Sequence, residues 1–153
     1  MKTLCLYYSR TGTTRDAVQE LAHWLDADVA ILSDRVTRSY MSACLAQLTG
    51  RLPQLKVRPR VDFASYDRIV IGLPIWAESP CVIGKVFLAK YARYLPKELY
   101  ILTTQQGTRD YGKKILKLNK YLKVPMSGYL SVREGEITEA VIKRFAAEIM
   151  ADR

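Results

Sequence analysis

The sequence predicts an α/β protein: a five-stranded parallel sheet with helices on both faces, three layers deep. Three observations carry this. Short apolar runs rich in β-branched and aromatic residues alternate along the chain with longer segments of helical period, the pattern of a parallel sheet with crossover helices. No repeat, low-complexity tract or internal linker interrupts the alternation, so residues 1–153 read as one domain, long enough to bury a core. Hydrophobic residues make up 49% and charged residues 25%, an ordinary balance for a soluble folded chain.

Leu4 to Ser9 (LCLYYS) is an apolar run too short for a helix and bounded by a Thr/Gly cluster, which predicts a buried strand. Beyond the turn Ser9–Thr14, Val18, Leu21, Ala22 and Leu25 recur at i, i+3, i+4 and i+7, and Thr13 followed by Asp16 has the form of a capping box. Asp28 to Ser33 reads as the second strand and Asp34 to Ser39 as a basic, polar loop. Tyr40, Cys44, Leu45 and Leu48 give a helix that stops near Gly50. The stretch TGRLPQLKVRPR, with two prolines and four basic residues, reads as an exposed connection. Arg68 to Leu73 is the third strand, and a helix from Cys81 to Tyr94 follows, with Ile83, Val86, Phe87, Lys90 and Tyr94 on one stripe and Pro80 at its start. Leu99 to Thr103 is the fourth strand. A helix from Tyr111 to Leu122 buries Ile115, Leu118 and Leu122. Met126 to Val132 is the fifth strand, and Thr138 to Met150 the last helix, with Val141, Phe145 and Ile149 inward.

The first loop has the chemistry of a phosphate cradle. A helix N-terminus offers free backbone N–H groups and the positive end of the macrodipole. Ser9, Thr11, Thr13 and Thr14 add hydroxyl donors, Arg10 adds a cation, and Gly12 permits a tight turn. The loop has no lysine for a triphosphate loop and one glycine where a dinucleotide loop has three. Two readings stand: a site for one phosphate held by mostly neutral donors, or a strand-to-helix turn and nothing more.

Ser9-x-Thr11-Gly12-x-Thr14 resembles the flavodoxin phosphate-binding pattern S/T-x-T-G-x-T at every fixed position. Asp34, Arg38, Ser39, Leu48, Gly50, Leu52 and Pro53 are similar to a D-x-x-x-R-S…L-x-G-x-L-P stretch of short flavodoxin-like proteins. The resemblance implies strand order 2-1-3-4-5 and FMN at the carboxyl edge of the sheet, where the loops after strands one, three and four meet. Pro74-Ile75-Trp76-Ala77 resembles the family's P-x-W-A-G-x-P segment, whose Trp stacks on the flavin; Trp76 reads either as an exposed loop residue suited to a flat ring or as a tryptophan closing the top of the core. Glu78 replaces its glycine. If that position needs positive φ, the Cβ costs roughly 1–2 kcal/mol, and a carboxylate beside reduced flavin would lower the potential or block the site. Thr103-Thr104-Gln105-Gln106-Gly107 stands where relatives have T-S-G-G, and Tyr111 resembles the outer stacking tyrosine.

The formal net charge is +9, with a sequence pI near 9.6. That favours an acidic redox partner protein or an anionic small-molecule substrate. Arg109, Lys113, Lys114, Lys117, Lys120 and Lys123 cluster after the fourth strand, as a solvated face or a basic rim. No nucleic-acid module is present, and no apolar run reaches the roughly 18 residues of a membrane span. The N-terminus lacks the form of a signal peptide, and Cys5, Cys44 and Cys81 form neither a disulfide framework nor a metal spacing, so a cytoplasmic protein is expected. Cys81 at a helix start is either a favoured thiolate or an inert small residue. The first loop lacks the Cys-x5-Arg of phosphatases and the acidic residues of receiver domains. The expectation is an FMN-binding redox protein, a carrier or a quinone- or nicotinamide-linked reductase. The alternative is a flavin-free binding module using its basic face.

Overall fold

A computed structural model describes residues 1–35, 39–49, 53–109, 111–116 and 125–152. In chain order the elements are β1 (Thr3–Tyr7), α1 (Thr13–Leu25), β2 (Asp28–Asp34), α2 (Tyr40–Thr49), β3 (Leu55–Arg58), β4 (Arg68–Trp76), β5 (Ser79–Pro80), α3 (Val82–Tyr91) and β6 (Glu98–Gln105). Helical residues 112–116, here α4, then β7 (Gly128–Arg133) and α5 (Glu139–Ala151) complete the chain.

The sheet runs β3-β2-β1-β4-β6-β7. Its five parallel strands, β2-β1-β4-β6-β7, have the expected order 2-1-3-4-5. Successive side chains point to opposite faces of a strand, so each strand serves two cores. Cys5, Tyr7, Val70, Tyr100 and Leu102 pack under α1 and α5, against Val18, Leu21, Ile142, Phe145 and Ile149. Leu4, Leu6, Ile69, Ile71, Leu99 and Ile101 face the other way, against Ile83, Phe87 and Leu88 of α3 and Ile115 of α4. Gly72 of β4 lies directly under Val18, where a Cβ would collide with its Cγ2, so glycine there lets the start of α1 lie close on the sheet.

Four expectations change. The segment taken as an exposed connection contains β3, which pairs antiparallel with β2 from Ile31↔Arg58 to Asp34↔Leu55. Pro53 and Pro59 disguise it: proline ordinarily marks loops and turns, and within sheets it is confined to edge strands and strand ends, which is where β3 lies. On α3, Val86 is half-buried and Lys90 and Tyr94 are exposed, while Gly84 and Leu88 are buried; the inward face is Ile83, Gly84, Phe87 and Leu88, and α3 ends at Tyr91. β4 runs on past Leu73 to Trp76 and turns back through β5. On α5, Ile142 rather than Val141 is fully inward. Arg38, Gly50 and Leu52 of the family-like stretch, and Lys117, Leu118, Lys120, Leu122 and Lys123, lie outside the described residues. Among the described residues no helix is long and apolar enough to cross a membrane.

Candidate functional site

A pocket of about 340 Å³ opens at the carboxyl edge of the parallel strands. The loop after β1 lines it with Ser9, Arg10, Thr11, Thr13 and Thr14. The end of β4 and its turn supply Pro74, Ile75, Trp76, Ala77 and Glu78, and the end of β6 and the following loop supply Thr104, Gln105, Gln106, Gly107 and Tyr111. Three loops remote in sequence thus meet where the topology places them.

The start of α1 is the chemically distinctive wall. Its N-cap is Gly12, at φ 103, and no side chain caps the helix. The expected capping box does not form, because the left-handed turn at Gly12 makes Thr13 the first helical residue rather than the cap. Asp16 instead pairs with Arg15 at 2.8 Å. The first-turn N–H groups have no acceptor within a helix, and no side-chain cap takes them. Ser9 Oγ accepts the Gly12 N–H at 3.0 Å, which closes the turn and leaves the Ser9 proton able to donate. Thr14 Oγ1 lies 2.7 Å from Thr104 Oγ1, both residues buried, so the α1 start is fastened to β6.

The aromatic walls differ from expectation in one respect. Trp76 is not exposed on a loop: it is the last residue of β4, 5% exposed, and meets Tyr8 edge-on with ring centroids 5.4 Å apart. It closes the core and lines the pocket at once. Tyr111, 7% exposed, lines the pocket too, with Lys114 Nζ 5.6 Å from its ring centroid.

Glu78 does adopt positive φ. Ala77 at 46° and Glu78 at 60° are the two central residues of a hairpin turn whose flanks pair as Trp76↔Ser79. Positive φ at both central positions is the signature of the tightest two-residue hairpins. The Glu78 carboxylate does not stand alone at the mouth: Arg109 Nη1 donates to it, Lys114 Nζ lies 3.7 Å from its Oε2, and Lys114 also donates to the Glu78 carbonyl. The turn after β4 is thereby tied across the pocket mouth to the loop after β6, and two cations of the basic rim are partly neutralised.

Gln105 is also used internally. It is buried, with its amide N–H donating to the Arg109 carbonyl and its carbonyl accepting the Ser131 hydroxyl at 2.8 Å. It braces the loop that relatives build from glycines, with one donor and one acceptor of its amide already engaged; Gln106 is exposed. Thr103 does not line the pocket. Strand alternation turns it to the opposite core, where its hydroxyl is fully buried without a partner among the described residues. Gly12 shapes the loop from beneath, buried.

Glu134, just after β7, lines the pocket and was not legible in the sequence. Its Oε1 accepts the Thr13 hydroxyl at 2.9 Å. Two strands, β4 and β6, separate β7 from β1, but α1 crosses toward β6 and packs beside α5, which brings its first turn to the end of β7. Cys81 is the N-cap of α3, fully buried, and burial pushes its thiol up to about 12, so it is the inert residue rather than a thiolate. Tyr8, half-buried near Cys81 and Asp34, is likewise pushed up to about 12 by burial. Among the described residues no three His, Cys, Asp or Glu side chains converge as metal ligands would.

No protein-family model and no curated protein matches the chain. Solved structures do. A flavoprotein from Lactobacillus acidophilus NCFM, determined in complex with FMN, superposes with a TM-score of 0.72 at 25% identity, over 85% of this chain and 92% of that one. A structure from Bacteroides eggerthii DSM 20697 gives 0.76 at 21%, over 97% and 98%. Oxidised flavodoxin 2 from Bacillus cereus gives 0.63 at 12%, over the full length of both. Their sheet-and-helix architecture is the one built here from β2-β1-β4-β6-β7, and the chain has the flavodoxin-like fold.

Proposed function

We propose that the chain is an FMN-binding redox protein. One observation carries this: an uncapped helix start, turned by Gly12 and ringed by hydroxyls, faces a pocket whose other walls include two aromatic side chains. The residues fit the group. The first-turn N–H groups of α1, with Ser9, Thr11 and Thr14, would hold the phosphate, and Arg10 offsets its charge. Trp76 and Tyr111 offer apolar walls to a flat ring. The pocket volume falls within the range of about 300–1,000 Å³ usual for small-ligand sites. The FMN complex of the Lactobacillus flavoprotein, the most sequence-similar of the three structures above, supports the assignment.

Bound flavin supplies one- and two-electron chemistry. The chain's own residues bind, orient and screen it. The Glu78 ion pairs hold the two outer loops together over the mouth, and the buried Thr14–Thr104 contact fixes the phosphate wall to the sheet. With Arg109 and Lys114 partly neutralised, the remaining positive field still favours an acidic redox partner protein or an anionic small-molecule acceptor. A carrier and a quinone- or nicotinamide-linked reductase both use this arrangement. The burial of Trp76 favours a second reading, a flavin-free module of the same fold. Purified protein incubated with FMN and desalted decides between them: retained flavin absorbance that bleaches on dithionite and returns in air supports the redox reading, and quantitative loss of flavin supports the module.

A further inference from the structure

Glu134 puts a carboxylate among donors otherwise suited to an anion. It lines the pocket beside Ser9, Arg10, Thr11 and Thr14, and it already accepts a hydrogen bond from Thr13, the first residue of α1, at 2.9 Å. A carboxylate accepts hydrogen bonds and cannot donate them. Facing a fully ionised phosphate it can only repel. Facing a phosphate that keeps one P–OH proton, it becomes that proton's acceptor.

We propose that Glu134 is a specificity-determining residue that selects a singly charged, protonated phosphomonoester. The ligand's P–OH donates to the Glu134 carboxylate, while its other oxygens accept from Ser9, Thr11, Thr14 and the first-turn N–H groups of α1. This rests on the FMN reading above and refines it. A sulfate ester has the same shape and the same single charge but no proton, so it leaves the carboxylate facing bare oxygens. Sites built around one particular hydrogen bond reject analogues that lack it far more strongly than apolar pockets reject a missing methylene.

The charged groups around Glu134 come from the loop after β1, the turn after β4, the start of α1 and its own segment after β7. Arg10 and Glu78 share the pocket, Glu78 paired with Arg109 and Lys114, and Arg15 and Asp16 of α1 are paired with each other at 2.8 Å. Arg133 and Glu136 share with Glu134 the groove adjoining the pocket. Arginine stays charged at any relevant pH. Histidine is the side chain that ordinarily titrates between pH 5 and 8, and the one histidine, His23, lies in the last turn of α1, far from the loop. Over that range the phosphate itself, with a second ionisation near pH 6, sets the profile. Because the protonated form is the one bound, affinity is highest below that value and falls as pH rises through it. Arg10 and the helix dipole pull the other way, toward the dianion, so the profile measures which wins.

The test is the dissociation constants of FMN, riboflavin and riboflavin 5′-sulfate, by flavin fluorescence quenching from pH 5.5 to 8, for wild type and Glu134→Gln. For wild type, FMN affinity should fall at least about tenfold across the range, and at the low end the sulfate should bind at least about tenfold more weakly than FMN. Glu134→Gln has an amide that can donate, so it should bind sulfate and FMN within about threefold of each other and lose most of the pH dependence. FMN preferred over riboflavin, but with affinity flat or rising toward pH 8, or with the sulfate bound as well as FMN, overturns this inference and leaves the FMN site standing. FMN bound no better than riboflavin at any pH overturns both. The wild-type series decides the matter even if Glu134→Gln does not fold.

Discussion

Replacing Glu78 by Gly and by Ala separates the two physical effects that meet at the pocket mouth. At φ 60 a Cβ is strained by roughly 1–2 kcal/mol relative to glycine. Glycine's extra freedom in the unfolded chain returns roughly 0.5–1 kcal/mol of that. The ion pairs to Arg109 and Lys114 join side chains that are 54%, 71% and 46% exposed, so each is worth only about 0–1 kcal/mol after solvent screening. Glu78→Ala keeps the strain and loses both pairs, and should destabilise by about 0.5–1.5 kcal/mol. Glu78→Gly loses the pairs but sheds the strain, and should fall within about 1 kcal/mol of wild type. The two variants should differ by about 0.5–1 kcal/mol in favour of Gly, roughly 1–4 °C in Tm for a chain of this size. Urea denaturation at low and high salt is the assay. The gap between wild type and Glu78→Ala should shrink in 1 M salt, and the gap between Gly and Ala should not. An Ala variant as stable as the Gly variant would refute the strain at this turn. A wild-type advantage indifferent to salt would refute the ion-pair account.

Three further outcomes are expected. Thr14→Val and Thr104→Val should each cost about 1–3 kcal/mol, because each leaves a buried hydroxyl unpaired, and the double variant should cost clearly less than the sum; additivity in a double-mutant cycle of urea midpoints would mean the 2.7 Å contact contributes nothing. Trp76→Ala should lower stability by about 3–5 kcal/mol as a core truncation, while Trp76→Phe should stay folded and still alter the absorbance of bound flavin; an unchanged spectrum makes Trp76 a core residue only. Burial holds the Cys5 and Cys81 thiols near 12 against an ordinary 9.0, so the stability from keeping them neutral is complete below pH 9 and lost as pH rises toward 12, at up to about 1.4 kcal/mol per pH unit for each thiol. Urea midpoints between pH 8 and 11 should therefore fall, less steeply for Cys81→Ala, and Cys5 and Cys81 should resist alkylation at pH 8.

The parallel sheet was legible because apolar runs alternate with helical periods, and its order because the first loop resembles the flavodoxin phosphate-binding pattern, which implies 2-1-3-4-5. The phosphate wall was legible because its residues are consecutive. What escaped the sequence is long-range. Gln105 reads as an adaptable ligand contact until Ser131 and the Arg109 carbonyl are seen to claim both ends of its amide. Glu78 reads as a bare charge until Arg109 and Lys114, more than thirty residues on, are seen to meet it. Glu134 lies 121 residues from Thr13, and only the crossing of α1 beside α5 joins them. Trp76 reads as either a loop residue or a core lid because the third strand is read as ending at Leu73; pairing of β4 with β5 carries the strand to Trp76, and burial makes it both core and pocket wall.

The account rests on the start of α1 recognising a phosphate, and the most direct measurement is the affinity of the protein for FMN against riboflavin at pH 6, repeated with Thr11→Ala and Thr14→Ala. FMN should bind at least about tenfold more tightly, and each substitution should weaken FMN by about 0.5–1.5 kcal/mol, or up to about 3 where the hydroxyl meets charge, while leaving riboflavin unchanged. Equal affinity for the two flavins, or threonine substitutions that weaken both alike, would contradict it.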